Sequence, residues 1–231
     1  MAFSRTVALI GEEKLNKLQN ARVALFGVGG VGGFVLEGLV RSGVKEIDIF
    51  DSDVVNKSNL NRQIIANLDN LGKDKVQEAK KRAESISDGV KINCHKIFYL
   101  PENADQFDLS IYDYVIDAID TVSAKLEIIK RAKKAGVRVI SSMGTGGKLD
   151  ATAVKITDVF KTENCPLARV MRRELKKLNI LSLTCVYSTE KPKTEKKDGA
   201  EKFIPSMIFV PAVCGLTIAN KVVLDLIGEE E

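Results

Sequence analysis

Residues 22–39 read RVALFGVGGVGGFVLEGL, and this stretch decides the fold. Its first five residues, Arg22 to Phe26, are mostly apolar, as is typical of a buried strand, and apolar residues then recur at helical spacing to about Arg41. Glycines between the two segments permit a tight turn, close approach of a ligand to the backbone, and a helix amino terminus that faces an anion. The stretch therefore predicts a phosphate-binding turn formed by Gly27, Gly29, Gly30 and Gly32.

A carboxylate follows the next predicted strand. The segment Glu46 to Phe50 ends at Asp51, about 20 residues after the glycine turn, where a carboxylate can accept hydrogen bonds from a ribose. A second acid, Asp53, lies two residues further on. The turn and the acids together predict a nucleotide site without indicating which nucleotide it binds.

Predicted strands and helices alternate along the rest of the chain. This order predicts an α/β fold with a Rossmann-like, doubly wound and mainly parallel sheet, whose ligands lie at the carboxyl ends of the strands. A C-terminal extension of strands and helices follows. We expect a helical arm over residues 1–21, a nucleotide-binding core over 22–150, and an extension over 151–231 that completes the same domain.

Net charge and cysteine spacing bear on nucleic-acid binding, structural zinc and cellular compartment. The net charge of +4 is too small to predict nucleic-acid binding, so that function must rest on where basic residues cluster. The four cysteines contain no C-x-x-C pair, which argues against a structural zinc site. Because no secretory leader is recognisable ahead of the first strand, we expect reduced thiols in a cytoplasmic protein.

Polar side chains that can hold phosphates follow the second strand. They are Asn59, Asn61, Arg62, Gln63 and Lys75, and Asp120 follows a later strand. Arginine and lysine can neutralise a triphosphate, amide side chains can bind its oxygens, and a carboxylate can hold Mg²⁺. Each can instead be a solvated polar residue, and Asp120 can cap the helix that follows it. Taken together, the set favours ATP and Mg²⁺ over a dinucleotide.

The order of these motifs resembles the ubiquitin-activating-enzyme-like adenylyltransferases over residues 22 to about 142. The matching elements are G-x-G-G-x-G, Asp51-x-Asp53, Ser58-Asn-Leu-Asn-Arg-Gln63, Gly72-Lys-x-Lys75 and Asp117-Ala-Ile-Asp120. Enzymes of this family adenylate a carboxylate with ATP and Mg²⁺ and release pyrophosphate. The resemblance implies that the core over 22–150 binds ATP for adenylation. In that core Asp51 binds the ribose, Asn59, Arg62 and Gln63 surround the phosphates, Lys75 supports the transferred group, Asp120 holds the metal, and Asp53 and Asn61 are further contacts.

The resemblance also concerns a partner subunit. Arg5, within Phe3-Ser-Arg-Thr6, matches the arginine that this family supplies from one subunit to the active site of the other. It therefore implies a homodimer in which Arg5 acts across the interface, with Arg62, Lys75 and Asp120 as the other catalytic residues. Such an arginine can raise the rate of phosphoryl transfer about a thousandfold or more.

The later part of the chain is similar to the branch of the family that modifies tRNA. The similar segments are residues 141–150, 157–162, 165–175 and 186–190. They imply an ATP-dependent dehydratase that adenylates the threonyl carboxylate of N6-threonylcarbamoyladenosine in tRNA and lets it cyclise. The alternative is activation of the C-terminal glycine of a ubiquitin-like sulfur carrier, although members with that activity usually keep two C-x-x-C pairs. A sulfur-relay partner stays open, and a nucleotide-binding scaffold without catalysis is the third interpretation.

Basic residues in the extension are candidates for tRNA binding. A helix predicted after Pro166 carries apolar residues on one side and, largely on the other, Arg169, Arg172, Arg173, Lys176 and Lys177. A solvated face is the alternative. A second group of basic residues follows, and it comprises Lys191, Lys193, Lys196, Lys197 and Lys202. These lysines can attract tRNA phosphates as an electrostatic clamp, or they can belong to a surface loop without that role.

An uncharged segment lies near the end of the chain. Residues 203–220 carry no charge, a length that approaches that of a membrane span. Because this segment contains prolines and polar residues, we expect a strand over residues 206–210 and then a helix that covers the sheet or the dimer interface. Peripheral membrane association stays open.

Overall fold

A seven-stranded sheet organises the computed structural model, which describes residues 2–193 and 204–229. The strands are β1 (Arg22–Phe26), β2 (Glu46–Phe50), β3 (Lys91–His95), β4 (Tyr114–Asp117), β5 (Arg138–Ser142), β6 (Val154–Asp158) and β7 (Thr184–Ser188). Their order is β3-β2-β1-β4-β5-β7-β6, and each neighbouring pair is parallel except β6 with β7. The predicted α/β fold with a mainly parallel sheet is confirmed.

Helices cover both faces of this sheet. In the part of the chain that the structure describes they are α1 (Ser4–Ile10), α2 (Glu12–Asn20), α3 (Gly32–Ser42), α4 (Lys75–Ile86), α5 (Val122–Lys134), α6 (Pro166–Lys177) and α7 (Phe209–Ile227). Apolar residues of α2, α3, α4 and α7 form one core cluster with the sheet, and those of α5 and α6 form a second.

Strand β1 shows why the opening stretch is so apolar. Val23 and Leu25 belong to the core cluster on one face, whereas Ala24 and Phe26 belong to the cluster on the other. Successive side chains of a strand point to opposite faces, so a central strand between two helical layers must be apolar throughout. All four side chains are completely buried.

The C-terminal segment belongs to the same sheet. Strand β7 lies between β5 and β6, and α7 packs against α3. Small residues permit this contact, since a Cβ atom on Gly38 would lie 2.6 Å from the Cβ of Ala219, and one on Gly215 would lie 2.4 Å from the carbonyl oxygen of Val31.

The prediction of a strand over residues 206–210 is wrong. Residues 204–207 have no regular structure, and α7 begins at Phe209. Val210, Cys214, Ile218 and Val222 recur every four residues and are all buried, so helical periodicity governs this segment. The lysines at 196, 197 and 202 lie outside the described residues.

Helix α7 is also the one described helix that is long and apolar enough to cross a membrane. Its buried face packs on α3 and the sheet, as in the core helix of a folded domain. Length and composition are therefore weak evidence for membrane association here.

Candidate active site

The glycine turn brings the amino terminus of α3 to the carboxyl edge of the sheet. The amide of Gly27 donates to the carbonyl of Phe50 at 2.7 Å, and Gly27 has a φ of +87°, which favours glycine. A Cβ atom on Gly32 would lie 1.8 Å from the carbonyl oxygen of Gly27, so only glycine lets the helix begin this close to the turn. The amides at the start of a helix have no partner within it and can bind an anion beside β1.

Asp51 is fixed beside the turn by two backbone amides. Its carboxylate accepts hydrogen bonds from the amides of Val28 and Asp53, each at 2.9 Å. Burial raises the pKa of this carboxyl group above its ordinary value, and the positive charge of Lys75 and the two amides oppose the rise. The carboxylate keeps lone pairs that can accept from ribose hydroxyls.

Asn59 has a structural bond that the sequence does not indicate. Its side-chain oxygen accepts from the amide of Asn56 at 2.9 Å and so holds the short 3₁₀-helix Lys57–Asn59. The rest of its amide group is available to the cavity that it lines. Asn61 does not line this cavity, and its side-chain nitrogen donates to the carbonyl of Ser206 at 2.8 Å.

Arg62 and Gln63 differ in whether their side chains find hydrogen-bond partners within the protein. The guanidinium of Arg62 donates to the carbonyl of Ser58 at 2.8 Å and to the side-chain oxygen of Asn61 at 3.0 Å, but it forms no ion pair within residues 2–193 and 204–229. The side-chain oxygen of Gln63 is buried without a hydrogen-bond partner among the described residues. A buried acceptor left unpaired costs free energy, which a bound ligand that donates to it can recover.

Lys75 and Asp120 complete the charged groups. The ammonium of Lys75, the first residue of α4, pairs with the carboxylate of Asp53. Asp120 is exposed, and its carboxylate accepts from the hydroxyl of Thr121 at 3.4 Å. Helix α5 begins after Thr121 without a side-chain capping bond, so the structure does not show Asp120 in the alternative role of a cap.

These groups surround one cavity of about 490 Å³, a volume suited to a small-molecule ligand. The predicted residues that line it are Gly27, Gly29, Gly30, Asp51, Asp53, Asn59, Arg62, Gln63, Lys75 and Asp120. Gly32, Asn61 and Arg5 do not line it; Gly32 is buried beneath the turn and Arg5 is exposed on α1. The cavity therefore gathers cations and carboxylates beside a glycine turn.

A divalent metal fits this set of residues. Mg²⁺ is usually bound by one or two carboxylates together with water and substrate phosphates. Asp120 is such a carboxylate, exposed on the cavity wall. No group of three or more His, Cys, Asp or Glu side chains suited to a metal occurs in the described ranges.

The apolar part of the cavity was not expected from the sequence. Ile97, Phe98 and Tyr99 follow β3 and line the cavity together with Phe50 and Ile119. The ring of Phe50 stacks on that of Phe26 at 4.3 Å, which extends this apolar wall into the core. The one available signal was that these residues directly follow an edge strand at its carboxyl end.

A buried ion pair was also missed. Lys125 of α5 and Asp117 at the end of β4 are both fully buried, and their charged groups lie 2.8 Å apart. Next to them, residues 142–146 form another part of the cavity wall.

The basic residues of α6 have different surroundings. Arg169, Arg173, Lys176 and Lys177 are exposed, whereas the half-buried Arg172 donates to the carbonyl of Thr162 at 2.9 Å. Arg173 and Lys177 both pair with Glu174. Arg169 and Lys176 form no ion pair in the described part of the chain, so they are the more available cations of this helix.

Comparison with known proteins identifies the family of this chain. The model of the ThiF family matches residues 3–231. The tRNA threonylcarbamoyladenosine dehydratase of Bacillus subtilis (strain 168) is 39% identical over 243 residues, which cover 99% of this chain and 96% of the relative.

Solved structures agree with this match. The tRNA N6-threonylcarbamoyladenosine dehydratase of E. coli in complex with AMP has a TM-score of 0.90 and 31% identity, covering 99% of this chain and 96% of that chain. The same enzyme in complex with ATP has a TM-score of 0.88 and 31% identity, covering 100% and 96%. The glycine turn, the strand-end acids and the end-to-end match together show that the chain belongs to the ThiF family.

Proposed function

We propose that the chain is an ATP-dependent tRNA threonylcarbamoyladenosine dehydratase. It adenylates the threonyl carboxylate of N6-threonylcarbamoyladenosine in tRNA and lets it cyclise, releasing AMP and pyrophosphate. One observation carries the proposal: three glycines of the turn line the same cavity as Asp51, Arg62, Lys75 and Asp120. The dehydratases described above match the chain almost from end to end, which supports this activity over the others in the family.

ATP binds with its sugar at Asp51 and its phosphates along the glycine turn. The carboxylate of Asp51, oriented by the amides of Val28 and Asp53, accepts from the ribose hydroxyls. Arg62 and Lys75 neutralise the phosphates, and Asn59, Gln63 and Asp53 are further contacts at the same wall. The apolar wall of Phe50, Ile97 and Phe98 is the part of the cavity that suits the base.

The first chemical step forms a mixed anhydride. An oxygen of the threonyl carboxylate attacks the α-phosphorus of ATP, and the bond from this phosphorus to the oxygen of pyrophosphate breaks. Negative charge grows on the transferred phosphoryl group and on the leaving pyrophosphate, where Arg62 and Lys75 stabilise it. Asp120 would hold Mg²⁺, which when bound neutralises phosphate charge.

The second step needs no further substrate. A nitrogen of the carbamoyl group attacks the activated carbonyl carbon, the bond from this carbon to the AMP oxygen breaks, and the nitrogen loses its proton. AMP therefore carries away the carboxylate oxygen that would otherwise leave as water. Because the nucleophile is part of the same molecule, ring closure gains the rate advantage of an intramolecular reaction.

We place Arg5 of a partner subunit at the phosphates in a homodimer. In its own chain Arg5 is exposed on α1 and does not line the cavity, so an arginine at this position is available to a second copy. We further propose that tRNA binds to the exposed basic residues of α6. The four cysteines are free, which supports a reducing, cytoplasmic location.

Mass spectrometry of nucleosides tests the activity. Purified protein is incubated with ATP, Mg²⁺ and tRNA that carries threonylcarbamoyladenosine, and the expected nucleoside has lost one water while AMP and pyrophosphate form in equal amounts. The Asp120→Ala variant should fold normally and release no pyrophosphate. Pyrophosphate exchange stimulated by a sulfur-carrier protein and not by tRNA would instead indicate the alternative activity, and ATP binding without turnover would indicate a scaffold.

A further inference from the structure

We infer that Lys125 is a positioning residue for adenylation. Its buried ammonium joins the ends of β4 and β5, and so fixes the separation between the segment that carries Asp120 and the loop of residues 143–146. The inference rests on the proposed function, because it assigns Lys125 a role in placing groups that act in that reaction.

Three groups of the protein hold the ammonium of Lys125. The Nζ atom donates to the carbonyl of Ile119 at 3.0 Å and to that of Ser142 at 2.7 Å, and lies 2.8 Å from the carboxylate of Asp117. Two hydrogen bonds to backbone carbonyls and one ion pair therefore fix its position. The lysine side chain is fully buried and does not itself touch the cavity.

Both carbonyls lead directly into the cavity wall. Ile119 precedes Asp120, and Ser142 precedes Met143 and Gly144, all of which line the cavity. The parallel pairing of β4 with β5 ends at Asp117 and Ser141. Beyond that point the two chain segments are not paired as strands, and Lys125 bridges them.

The same segment also supports the glycine turn. A Cβ atom on Gly27 would lie 2.9 Å from the carbonyl oxygen of Ala118, next to Ile119. A shift of the chain after β4 would therefore move both Asp120 and the floor of the phosphate site. A misplacement of about 1 Å can cost about a hundredfold in rate.

Stability alone is a weak reason for a lysine at this position. Removing two charges from water is costly, and replacing a whole buried pair with neutral residues is often neutral or stabilising. The hydroxyl of Ser141 also donates to the carboxylate of Asp117, so a further residue is committed to this pair. An apolar residue in place of Lys125 could not donate hydrogen bonds to the carbonyls of Ile119 and Ser142 at the same time.

The double variant Lys125→Met with Asp117→Asn separates positioning from stability, because it removes both charges. We expect the variant to fold cooperatively, with a midpoint lowered only by the loss of a donor to the carbonyls of Ile119 and Ser142. We expect kcat for pyrophosphate release to be about 10- to 100-fold lower and the KM for ATP to be within about threefold of wild type. We also expect the Mg²⁺-dependent part of the rise in Tm caused by ATP to be lost. Lys130→Met, an exposed lysine of the same helix, should match wild type in each measurement.

Ser141→Ala is the second variant, since it keeps both charges and removes one bond to Asp117. We expect it to fold and to lower kcat at least threefold. Wild-type kcat and wild-type Mg²⁺ dependence in either folded variant would overturn the positioning role while leaving the dehydratase activity intact. A wild-type protein that releases no pyrophosphate with tRNA would overturn the proposed function, and the inference with it.

Discussion

The ammonium of Lys75 lies 2.6 Å from the carboxylate of Asp53, yet the lysine side chain is 6% exposed and the aspartate side chain 61%. The lysine is the buried member of the pair, held at the start of α4, and the aspartate reaches it from solvent. A phosphate can replace such an exposed carboxylate at little cost, because the aspartate regains its hydration. The pair therefore keeps the ammonium of Lys75 beside the glycine turn, where it can bind a phosphate.

The two members of this pair should respond differently to substitution. We expect Lys75→Met to lower kcat for pyrophosphate release about 100- to 1000-fold, because it removes charge stabilisation where charge develops. Asp53→Asn should cost less than about tenfold, since the phosphates can take its place. Steady-state kinetics measures both, and the exposed neighbour Lys73→Met is the control. Equal losses in the two variants would contradict the assignment.

The glycines of the turn should separate folding from binding. A Cβ atom on Gly32 would meet the carbonyl oxygen of Gly27 at 1.8 Å, whereas the nearest atom to one on Gly29 is the side-chain nitrogen of Gln63, at 3.6 Å. Gly32→Ala should therefore lower the free energy of unfolding by about 3 kcal/mol or more, because the overpacking is severe. Gly29→Ala should fold with little loss but weaken ATP binding, because its methyl group enters the space of the phosphates.

Urea unfolding and calorimetric titration with ATP measure these two effects. If Gly29→Ala binds ATP with wild-type affinity, the phosphates do not lie against that residue. If Gly32→Ala is as stable as wild type, the close contact between turn and helix is not required.

Much of the charged side of the site could be predicted because it follows from topology. Carboxyl ends of adjacent parallel strands meet at one edge, so Asp51 after β2 and Asp120 after β4 had to lie near the glycine turn after β1. The residue types also predict Arg62 and Lys75 as cations for phosphates, but only the resemblance to a family assigns each its role, since no periodicity indicates which polar residues of a loop face a ligand.

Other features could not be predicted because they depend on long-range contacts. In the sequence, Lys125 and Lys130 are two lysines of one helix, but the first is fully buried against Asp117 and the second is exposed. The sequence leaves Asn59 either at the phosphates or as a solvated polar residue, yet part of its side chain holds the local turn. Residues 97–99 match no sequence motif for ligand binding. They line the cavity because they follow β3, which lies at the edge of the sheet.

The basic helix α6 should bind tRNA through its available cations. Arg169 is exposed, and we expect Arg169→Ala to weaken tRNA binding and to reduce the slope of log Kd against log salt concentration by about one. Arg172 donates to Thr162, so Arg172→Ala should mainly lower the free energy of unfolding. Binding isotherms at several salt concentrations test both variants. An unchanged salt slope in Arg169→Ala would show that this face is merely solvated.

A polar network on the sheet predicts a pH-dependent loss of stability. Burial acts to raise the pKa of Asp48, but hydrogen bonds from His95, Arg22 and Asn93 outweigh it and hold the pKa below its ordinary value. The folded protein therefore gains stability from the ionised carboxylate above the unfolded pKa of about 3.9, and loses it as the pH falls through that value towards the folded pKa.

Asp48→Asn should consequently cost about 3 kcal/mol of unfolding free energy at pH 7, and the difference from wild type should shrink below about pH 4. Urea unfolding of the wild type and the variant at pH 7 and below about pH 4 measures this difference in unfolding free energy. Asp105→Asn, in an exposed ion pair with Arg131, is the control and should change stability far less. A deficit independent of pH would mean that packing, and not the charge of Asp48, accounts for the loss.

A mixing experiment tests whether Arg5 acts in the partner's site. Arg5→Ala and Asp120→Ala should each be inactive alone, because every site in either homodimer lacks one group. In a mixed dimer, the subunit that keeps Asp120 receives an intact Arg5 from its partner, and the other site carries both defects. Since half of randomly formed dimers are mixed and each has one complete site, mixing should restore about a quarter of wild-type pyrophosphate release. If Arg5 acted within its own chain no site would be complete, and the mixture would stay as inactive as its components.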